Sequence, residues 1–487
     1  MKIEIISKDT IEPSSQPPPH LRTYKLSLLD QISPPYYVPV VLFYPAPNPG
    51  LINGADAVDH NTVFNSLQKS LSEALSVYYP LAGRIRGDDP NSVDLHGGGA
   101  LFVKARVPGA PLSGFLANPD LDLIGNLLPL DPYNVGGSDS KSDLVVTAIQ
   151  ASIFECGGIS LGVCISHRVA DGATLSTFLD YWAASSIGSS RKLVSPSLDA
   201  AILFPPRDEF RDHAQNDVIR KEKVVTKRFV FESSSLASLR ESAAKGSSIG
   251  KPTLVEAVTA LICKSAMKAR KHAHGTEGQT SSSTVITHIV NLRGRRIPPL
   301  PEHSLGNIWR FAIAAIRTLF ESYNMIFDPQ TVWYSRIVLS GPRASVSYEI
   351  CSLNREEASK VELCDLVGHL RQSIRKIDAD YVRKLEGEDG FYHACESFKE
   401  MSKLKYEGEG EVESYRFSSW VRFPFYEVDF GFGKPVWACN SKVPIRNVVI
   451  LMATRSGDGI ETWVTLDEDE MHKFMNDPLL LQFTATS

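Results

Sequence analysis

A histidine and an aspartate stand four residues apart in the segment Ser166-His167-Arg168-Val169-Ala170-Asp171-Gly172. Imidazole is neutral near pH 7, so a rigidly held histidine suits the removal of a proton from an attacking hydroxyl. Asp171 has two interpretations: it forms a dyad with His167, or it locks the tight turn through an ion pair with an arginine elsewhere. A satisfied structural histidine is the competing interpretation of His167.

The neighbouring residues predict the elements that position this histidine. Residues 159–165 form a short apolar run rich in β-branched residues, which is typical of a buried strand. Asp171-Gly172 predicts a turn. After it, apolar residues recur at helical spacing: Ala173, Leu175, Phe178, Leu179 and Trp182. The same His-x-x-x-Asp spacing at 213–217 lacks an apolar run before it, so the pattern needs its structural context.

A glycine-rich segment, Asp429-Phe430-Gly431-Phe432-Gly433-Lys434-Pro435, lies near the other end of the chain. The residues before it, 420–428, alternate aromatic and other side chains, which predicts a strand that runs into a glycine turn. Gly431 and Gly433 permit backbone conformations that other residues resist, and Pro435 cannot continue a ladder. No phosphate-loop spacing follows, so the segment taken alone indicates a structural turn.

In this order, the two segments resemble the two signatures of the BAHD family of acyl-CoA-dependent acyltransferases. The resemblance covers nearly the whole chain in ordered blocks. Residues 26–31 are similar to the family's opening strand and turn, and residues 67–84 to its first amphipathic helix with the Tyr-Pro-x-Ala-Gly-Arg stop. The remaining blocks are 291–293, 298–301 with 306–307, and 456–463 followed by an acidic helix that ends near Phe474.

The resemblance implies an α/β fold of the chloramphenicol-acetyltransferase kind. Two similar-sized domains with mixed sheets flanked by helices are expected, with an active-site channel at their interface. The expected division is an N-terminal domain over 1–184, a Ser- and Pro-rich crossover linker over 185–222, and a C-terminal domain over 223–487 that carries the glycine-rich motif. A strand over 224–231 and a helix capped by Thr253 open the second half.

The resemblance further implies that His167 is the general base, that acyl-CoA and the acceptor enter from opposite sides, and that no covalent acyl-enzyme forms. Asp171 and Asp429 are the other catalytic candidates. For Asp171 a bracing pair with Arg293 is expected, and for Asp429 a structural role is favoured. Further expected positions are supports of the site (Gly172, Gly431, Phe432, Gly433) and contacts to donor or acceptor (Thr253, Asn307, Arg422).

The chain departs from the family pattern in two places. Phe432 stands where the family usually has Trp, which keeps the aromatic ring and loses the indole N–H donor; a mild effect is expected. Residues 317–341 find no counterpart in the family, are too apolar for a disordered linker and lack a clear amphipathic period. They are either a lineage-specific insertion in the second domain or an unspliced intron read as coding sequence.

Within the family, residues 418–435 and 291–293 resemble plant alkaloid O-acetyltransferases, so acetyl transfer to an alkaloid hydroxyl is the leading prediction. Malonyl transfer is the alternative, because the Arg422 guanidinium would suit a malonyl carboxylate. A carrier-dependent condensation module is a further alternative. It is disfavoured, because such modules tend to carry a paired histidine and Ser166 occupies that place. A non-catalytic binding paralogue is the remaining alternative, and the intact His167 and Asp171 argue against it.

The composition limits the classes of function. With 487 residues and a 43% hydrophobic share, the chain is a globular protein with substantial cores. The net charge of −5 and the lack of a basic aromatic patch give no support for nucleic-acid binding. Seven scattered cysteines without C-x-x-C spacing predict neither disulfides nor a metal site. Without a signal-peptide core or membrane span, a cytoplasmic monomer with acyl-CoA as co-substrate and no bound cofactor is expected.

Overall fold

The computed structural model describes residues 1–17, 21–46, 60–134, 143–188, 193–208, 223–246, 250–273, 283–318, 351–353, 361–387, 389–395 and 412–484. None of the helices in these described residues combines the length and the apolar composition that a membrane crossing requires.

Contacts divide the chain into two compact units. The first unit takes in Met1–Ile219, Pro299–Ile308 and Phe423–Lys442, and the second Arg220–Pro298, Trp309–Arg422 and Val443–Ser487.

The first unit is built on a six-stranded mixed sheet of β1 (Glu4–Ile11), β3 (Tyr37–Tyr44), β6 (Ala100–Val107), β8 (Thr147–Phe154), β9 (Ile159–Ser166) and β15 (Trp437–Cys439). Its strand order is β1-β6-β8-β9-β3-β15. Strand β9 lies between β3 and β8, antiparallel to both, and every residue of these three strands is buried. The buried strand predicted over 159–165 is thereby confirmed.

A four-stranded sheet and the helices complete the first unit. The sheet has the order β2-β5-β4-β7, from β2 (Thr23–Lys25), β4 (Arg84–Ile85), β5 (Ser92–Asp94) and β7 (Leu144–Val145). The described helices are α1 (Leu28–Gln31), α2 (His60–Val77), α3 (Leu112–Ala117), α4 (Leu121–Ile124), α5 (Gly172–Ser186) and α6 (Ala200–Leu203). The predicted amphipathic helix is α2, which packs on α5. The opening block differs from the expected strand and turn, because its residues 28–31 form α1.

The second unit is built on a seven-stranded mixed sheet with helices packed on it. The strands are β10 (Val224–Phe231), β11 (Ser283–Asn291), β12 (Trp309–Thr318), β13 (Cys351–Leu353), β14 (Val412–Ser419), β16 (Val448–Ala453) and β17 (Ile460–Asp467), in the order β10-β17-β16-β14-β11-β12-β13. The described helices are α7 (Ser233–Ala244), α8 (Leu254–Ala273), α9 (Leu363–Arg375), α10 (Ala379–Leu385), α11 (Glu468–Met475) and α12 (Pro478–Leu481). Apolar residues of α8 and of the sheet share one core, among them Leu261, Phe417 and Val464.

The predicted class of fold is confirmed, because each unit is an α/β unit with a mixed sheet. The predicted cap of α8 is confirmed as well. The Glu256 N–H donates to Oγ1 of Thr253 at 3.2 Å, and the Thr253 N–H donates to a carboxylate oxygen of Glu256 at 2.7 Å. This reciprocal pair satisfies two backbone donors at the start of the helix.

Two short segments from the second half of the chain belong to the first unit. Residues 299–308 and 423–442 pack there, and β15 extends the six-stranded sheet beside β3. The sequence-based division assigned both segments to the C-terminal domain, because periodicity does not reveal a segment that crosses back. Part of the expected linker packs on α1, where the Leu28 N–H donates to the Phe204 carbonyl at 2.9 Å. As folding domains, 1–184, 185–222 and 223–487 stay a prediction.

The segment without a counterpart, 317–341, starts with the last two residues of β12, and 319–350 lie outside the described residues. After it, β13 pairs in parallel with β12. The second His-x-x-x-Asp match, at 213–217, also lies outside the described residues. The origin of residues 317–341 stays a prediction, which sequencing of the transcript across them would test.

Candidate active site

His167 is the first residue after β9, at the turn that leads into α5. Its backbone N–H donates to the Tyr36 carbonyl at 2.7 Å, and the Ala170 N–H closes the turn on the Ser166 carbonyl at 3.1 Å. The predicted strand and helix are therefore confirmed around this histidine. The turn between them lies at residues 167–169, before the predicted Asp171-Gly172, where Asp171 already caps the helix. A residue placed between a fully buried strand and a capped helix has little freedom to move.

Asp171 caps α5, of which Gly172 is the first residue. One carboxylate oxygen accepts from the Thr174 N–H at 2.8 Å, and the other accepts from the Ile308 N–H at 3.2 Å. The carboxylate thus fixes the turn that carries His167 and also holds residue 308 of the returning segment. The predicted ion pair with Arg293 would join the two units and stays a prediction.

Residues 306–308 bring a side chain from far along the sequence to the histidine. Oδ1 of Asn307 lies 2.8 Å from Nδ1 of His167. The loop is fixed by the Asn307 N–H, which donates to Asp30 at 2.7 Å, and by the Gly306 N–H, which donates to Oγ1 of Thr174 at 3.3 Å. The sequence had suggested Asn307 as a contact to the donor or acceptor, whereas in the structure its side chain contacts the candidate base.

The hydrogen bonds of Asn307 decide where the proton of His167 lies. Its Nδ2 donates to Oδ1 of Asp30 at 2.9 Å and to the carbonyl oxygen of His167 at 2.7 Å, so Oδ1 must be the atom that faces the imidazole. An amide oxygen only accepts hydrogen bonds, and a neutral imidazole carries one N–H. Nδ1 is therefore the donor, and Nε2 carries the free electron pair that a base needs.

The surroundings keep the His167 imidazole neutral at pH 7. Burial lowers its pKa below the usual value, and the hydrogen bond with Asn307 and the negative charge of Asp171 oppose this shift. The Tyr36 ring stands edge-on to the imidazole, with 5.3 Å between the ring centroids. A buried imidazole beside an aromatic ring loses hydration, which penalises the charged form.

Cys164 on β9 is the nearest cysteine to His167 in the sequence. It is fully buried, and burial raises the pKa of its thiol. A thiol that stays protonated is a poor nucleophile, so Cys164 serves as a small buried side chain.

Sequence reasoning missed Asp30. It lies at the third position of α1 and is fully buried, and it forms a capping box with Ser27. The spacing Ser27-x-x-Asp30 is a visible signal for a helix start. Nothing in the local pattern shows that the second oxygen of the same carboxylate binds Asn307.

The glycine-rich motif forms a turn organised by Asp429. Its Oδ1 accepts from the N–H groups of Gly431 at 2.8 Å and Gly433 at 3.0 Å, and both glycines have positive φ angles, 97° and 99°. The Phe432 ring packs edge-on against Tyr44 with 4.9 Å between centroids. These contacts favour the structural role of Asp429.

The strand predicted over 420–428 is wrong. Strand β14 ends at Ser419, and a turn and the 3-10 helix Phe425–Glu427 follow it. Pro424 stands at the start of the 3-10 helix, and the alternation of aromatic residues did not produce a strand. Arg422 consequently lies exposed in a turn.

The other predicted site residues lie in the second unit. Arg293 is fully buried and donates through Nη1 to Oδ1 of Asn291 at 3.3 Å, and Thr253 is exposed at the start of α8. Contacts of Thr253, Asn307 and Arg422 with donor or acceptor stay predictions. Among the described residues, no group of three or more His, Cys, Asp or Glu side chains is arranged to hold a metal ion.

Comparison with known proteins connects this geometry to a family. The family model described as "Transferase family" matches residues 1–321 and 349–481. Stemmadenine O-acetyltransferase of Catharanthus roseus is 33% identical over 489 residues, which cover 100% of this chain and 99% of that protein. Limonoid 7-O-acetyltransferase of Citrus sinensis is 34% identical over 511 residues, which cover 99% of this chain and 98% of that protein.

A solved structure agrees with the family model and with these two relatives. The crystal structure of vinorine synthase superposes with a TM-score of 0.75 at 32% identity, covering 100% of this chain and 99% of that one. The relatives and the family model span nearly the whole chain, including the segments that carry His167 and Asp429. The chain therefore belongs to the transferase family and is a BAHD acyl-CoA-dependent acyltransferase.

Proposed function

We propose that this enzyme transfers the acetyl group of acetyl-CoA to a hydroxyl of a plant specialised metabolite, with an alkaloid as the leading acceptor class, and that His167 is its general base. The observation that carries the proposal is the 2.8 Å contact between Nδ1 of His167 and Oδ1 of Asn307. It supports an unprotonated Nε2 in a neutral imidazole, which is the form that accepts a proton from an alcohol.

The proposed reaction needs no covalent enzyme intermediate. Nε2 of His167 takes the proton of the acceptor hydroxyl while its oxygen forms a bond with the thioester carbonyl carbon. The tetrahedral intermediate then expels the CoA sulfur, and the imidazolium returns the proton to that sulfur. The raised pKa of Cys164 supports direct transfer, because this thiol would not compete as a nucleophile.

Asp171 and Asp429 have supporting roles in this proposal. Asp171 fixes the turn of His167 by capping α5 and raises the basicity of the imidazole through its charge. Asp429 holds the glycine turn through two backbone N–H groups, so we assign it to the fold and not to the chemistry.

Relatives named for O-acetyl transfer support acetyl-CoA as the donor, one of them named for stemmadenine and others for limonoids. Malonyl transfer is the second candidate, because the exposed Arg422 guanidinium would suit the free carboxylate of a malonyl thioester. The test is competition between acetyl-CoA and malonyl-CoA, with wild type and Arg422→Ala, over a panel of hydroxylated alkaloids and limonoids, followed by mass spectrometry of the products.

An acetylated alkaloid as the dominant product supports the proposal. An acetylated limonoid as the dominant product would show that the acceptor is a limonoid and not an alkaloid. A malonylated product that Arg422→Ala abolishes would overturn the donor. No product together with loss of CoA binding in a thermal-shift assay would favour the non-catalytic paralogue. No product with intact CoA binding would show that the true acceptor lies outside the alkaloid and limonoid panel.

A monomer in the cytoplasm is part of the proposal. Light scattering of the purified protein tests the first point, and a two-subunit mass would contradict it. Imaging of a fluorescent fusion in plant cells tests the second.

A further inference from the structure

Asp30 is a buried carboxylate with four hydrogen-bond donors around it. On Oδ2 it accepts from the Ser27 N–H at 2.9 Å and the Ser27 hydroxyl at 2.7 Å. On Oδ1 it accepts from the N–H of Asn307 at 2.7 Å and from its Nδ2 at 2.9 Å. The two oxygens therefore serve two different parts of the first unit.

The capping of α1 explains only one of these oxygens. A capping box needs one acceptor at the third helical position, and Oδ2 supplies it. Oδ1 instead reaches a segment 277 residues away in the sequence. Burial disfavours the charge of Asp30 and raises the pKa of this carboxyl, against the hydrogen bonds of Ser27 and Asn307. Burying a carboxylate whose described hydrogen bonds come from neutral donors lowers the stability of the folded state.

The backbone around Asn307 is shaped to this carboxylate. Gly306 has a φ of 132°, a conformation that side-chain-bearing residues rarely adopt. A Cβ there would lie 3.1 Å from the Ala200 Cβ and 3.6 Å from Oδ1 of Asp30. The close approach of the 306–307 peptide to Asp30 therefore depends on glycine.

We propose that Asp30 is a positioning residue for acyl transfer: its Oδ1 fixes the orientation of the Asn307 amide, and Asn307 in turn holds His167 with the free electron pair on Nε2. Without Asp30, Nδ2 of Asn307 loses one of its two described acceptors and retains the carbonyl of His167. The amide then rotates more easily, and a rotated amide presents N–H groups to Nδ1 and favours the unproductive tautomer. This inference rests on the proposed role of His167 as base.

The test is a double-mutant cycle in the full-length enzyme, with Asp30→Asn, Asn307→Ala and the double variant. The asparagine side chain has the size of the aspartate it replaces. Whichever way its amide points, the NH₂ group faces an N–H donor of Ser27 or of Asn307 and cannot accept from it. We expect Asp30→Asn to lower kcat by about tenfold with KM for acetyl-CoA unchanged, because the base is mispositioned while the donor still binds. In the Asn307→Ala background the same change should have no further effect on kcat.

Two further measurements make the outcome specific. Nitrogen-15 NMR of His167 should show a protonated Nδ1 in the wild type and a mixture of tautomers in Asp30→Asn. Ser27→Ala, which removes one donor from Oδ2 and weakens the cap of α1, should lower the unfolding midpoint and leave kcat within about twofold.

An equal loss of kcat from Asp30→Asn in both backgrounds, or an unchanged tautomer with wild-type kcat, would overturn the inference. His167→Ala, assayed in the same series, separates this failure from that of the proposed function. If His167→Ala keeps wild-type kcat, the base assignment itself is wrong.

Discussion

Asn307 and His167 are 140 residues apart in the chain, and the amide oxygen of one lies 2.8 Å from Nδ1 of the other. This contact places the proton of the neutral imidazole on Nδ1 and leaves the free electron pair on Nε2. It exists because residues 299–308 pack in the first unit, where Asp30 and Asp171 accept from the N–H groups of residues 307 and 308. The site is thus assembled from segments that chain order separates.

Replacing Asn307 with Ala should lower kcat by about 100-fold, because the imidazole loses the partner that fixes its tautomer and orientation. KM for acetyl-CoA should change little. Steady-state kinetics over both substrates measures this split. Gln150→Ala is the matched control, since Gln150 is a buried amide of the same unit that donates to the Asn126 carbonyl at 3.0 Å. If both variants lose the same activity, Asn307 has only a structural role.

The pH profile of kcat/KM should show an acid limb with a midpoint below about 6.5, the usual histidine value. The reason is the lowered pKa of His167: the imidazole stays neutral, and hence active, until the pH falls through that lower value. In Asp171→Asn the negative charge that opposes the shift is lost, so the acid limb should move to still lower pH. A limb that moves to higher pH in this variant would contradict the assignment.

Asp429→Asn and Asp429→Ala should behave differently. The Asn amide oxygen can still accept from the N–H groups of Gly431 and Gly433, so its kcat should stay near wild type. Ala removes both acceptors and should lower the free energy of unfolding by on the order of 1 kcal/mol. Urea unfolding and kinetics distinguish the effects. A dead but stable Asp429→Asn enzyme would establish a catalytic carboxylate instead.

Phe432→Trp should leave kcat within about twofold of wild type, because the ring at this position packs and no indole N–H is required. The buried Phe432 side chain contacts Tyr44 and Phe430. Truncation by Phe432→Ala should lower the free energy of unfolding by about 3 kcal/mol. A large gain in kcat for Phe432→Trp would show that the missing N–H matters.

The local elements around His167 were predictable from the sequence, whereas their distant partners were not. The apolar run of β9 and the spacing of α5 identify a strand, a turn and a helix, because periodicity reports which faces are buried. The capping residue Thr253 was also predictable from local sequence, because a threonine directly before a helical apolar run is a typical helix start. The Asn307 contact was not, because no pattern near residue 307 indicates that this loop packs in the first unit.

The error at 420–428 has a related cause. Alternating aromatic residues resemble one face of a strand, but here strand β14 has already ended at Ser419 and a turn and a 3-10 helix carry these residues. Phe425 is buried there from a 3-10 helix and not from a strand. Alternation is a signal for side chains that face a core, as Phe425 does. It does not determine whether a strand or a 3-10 helix carries them.

The most direct test of His167 as base is acceptor-dependent release of free CoA from acetyl-CoA by the wild type, His167→Ala and Gln150→Ala, with circular dichroism to establish that all three are folded. The wild type and Gln150→Ala should release CoA only with acceptor present. Loss of the general base should lower the rate of His167→Ala by about 10²–10⁴-fold. A folded His167→Ala enzyme with the wild-type rate would contradict the account.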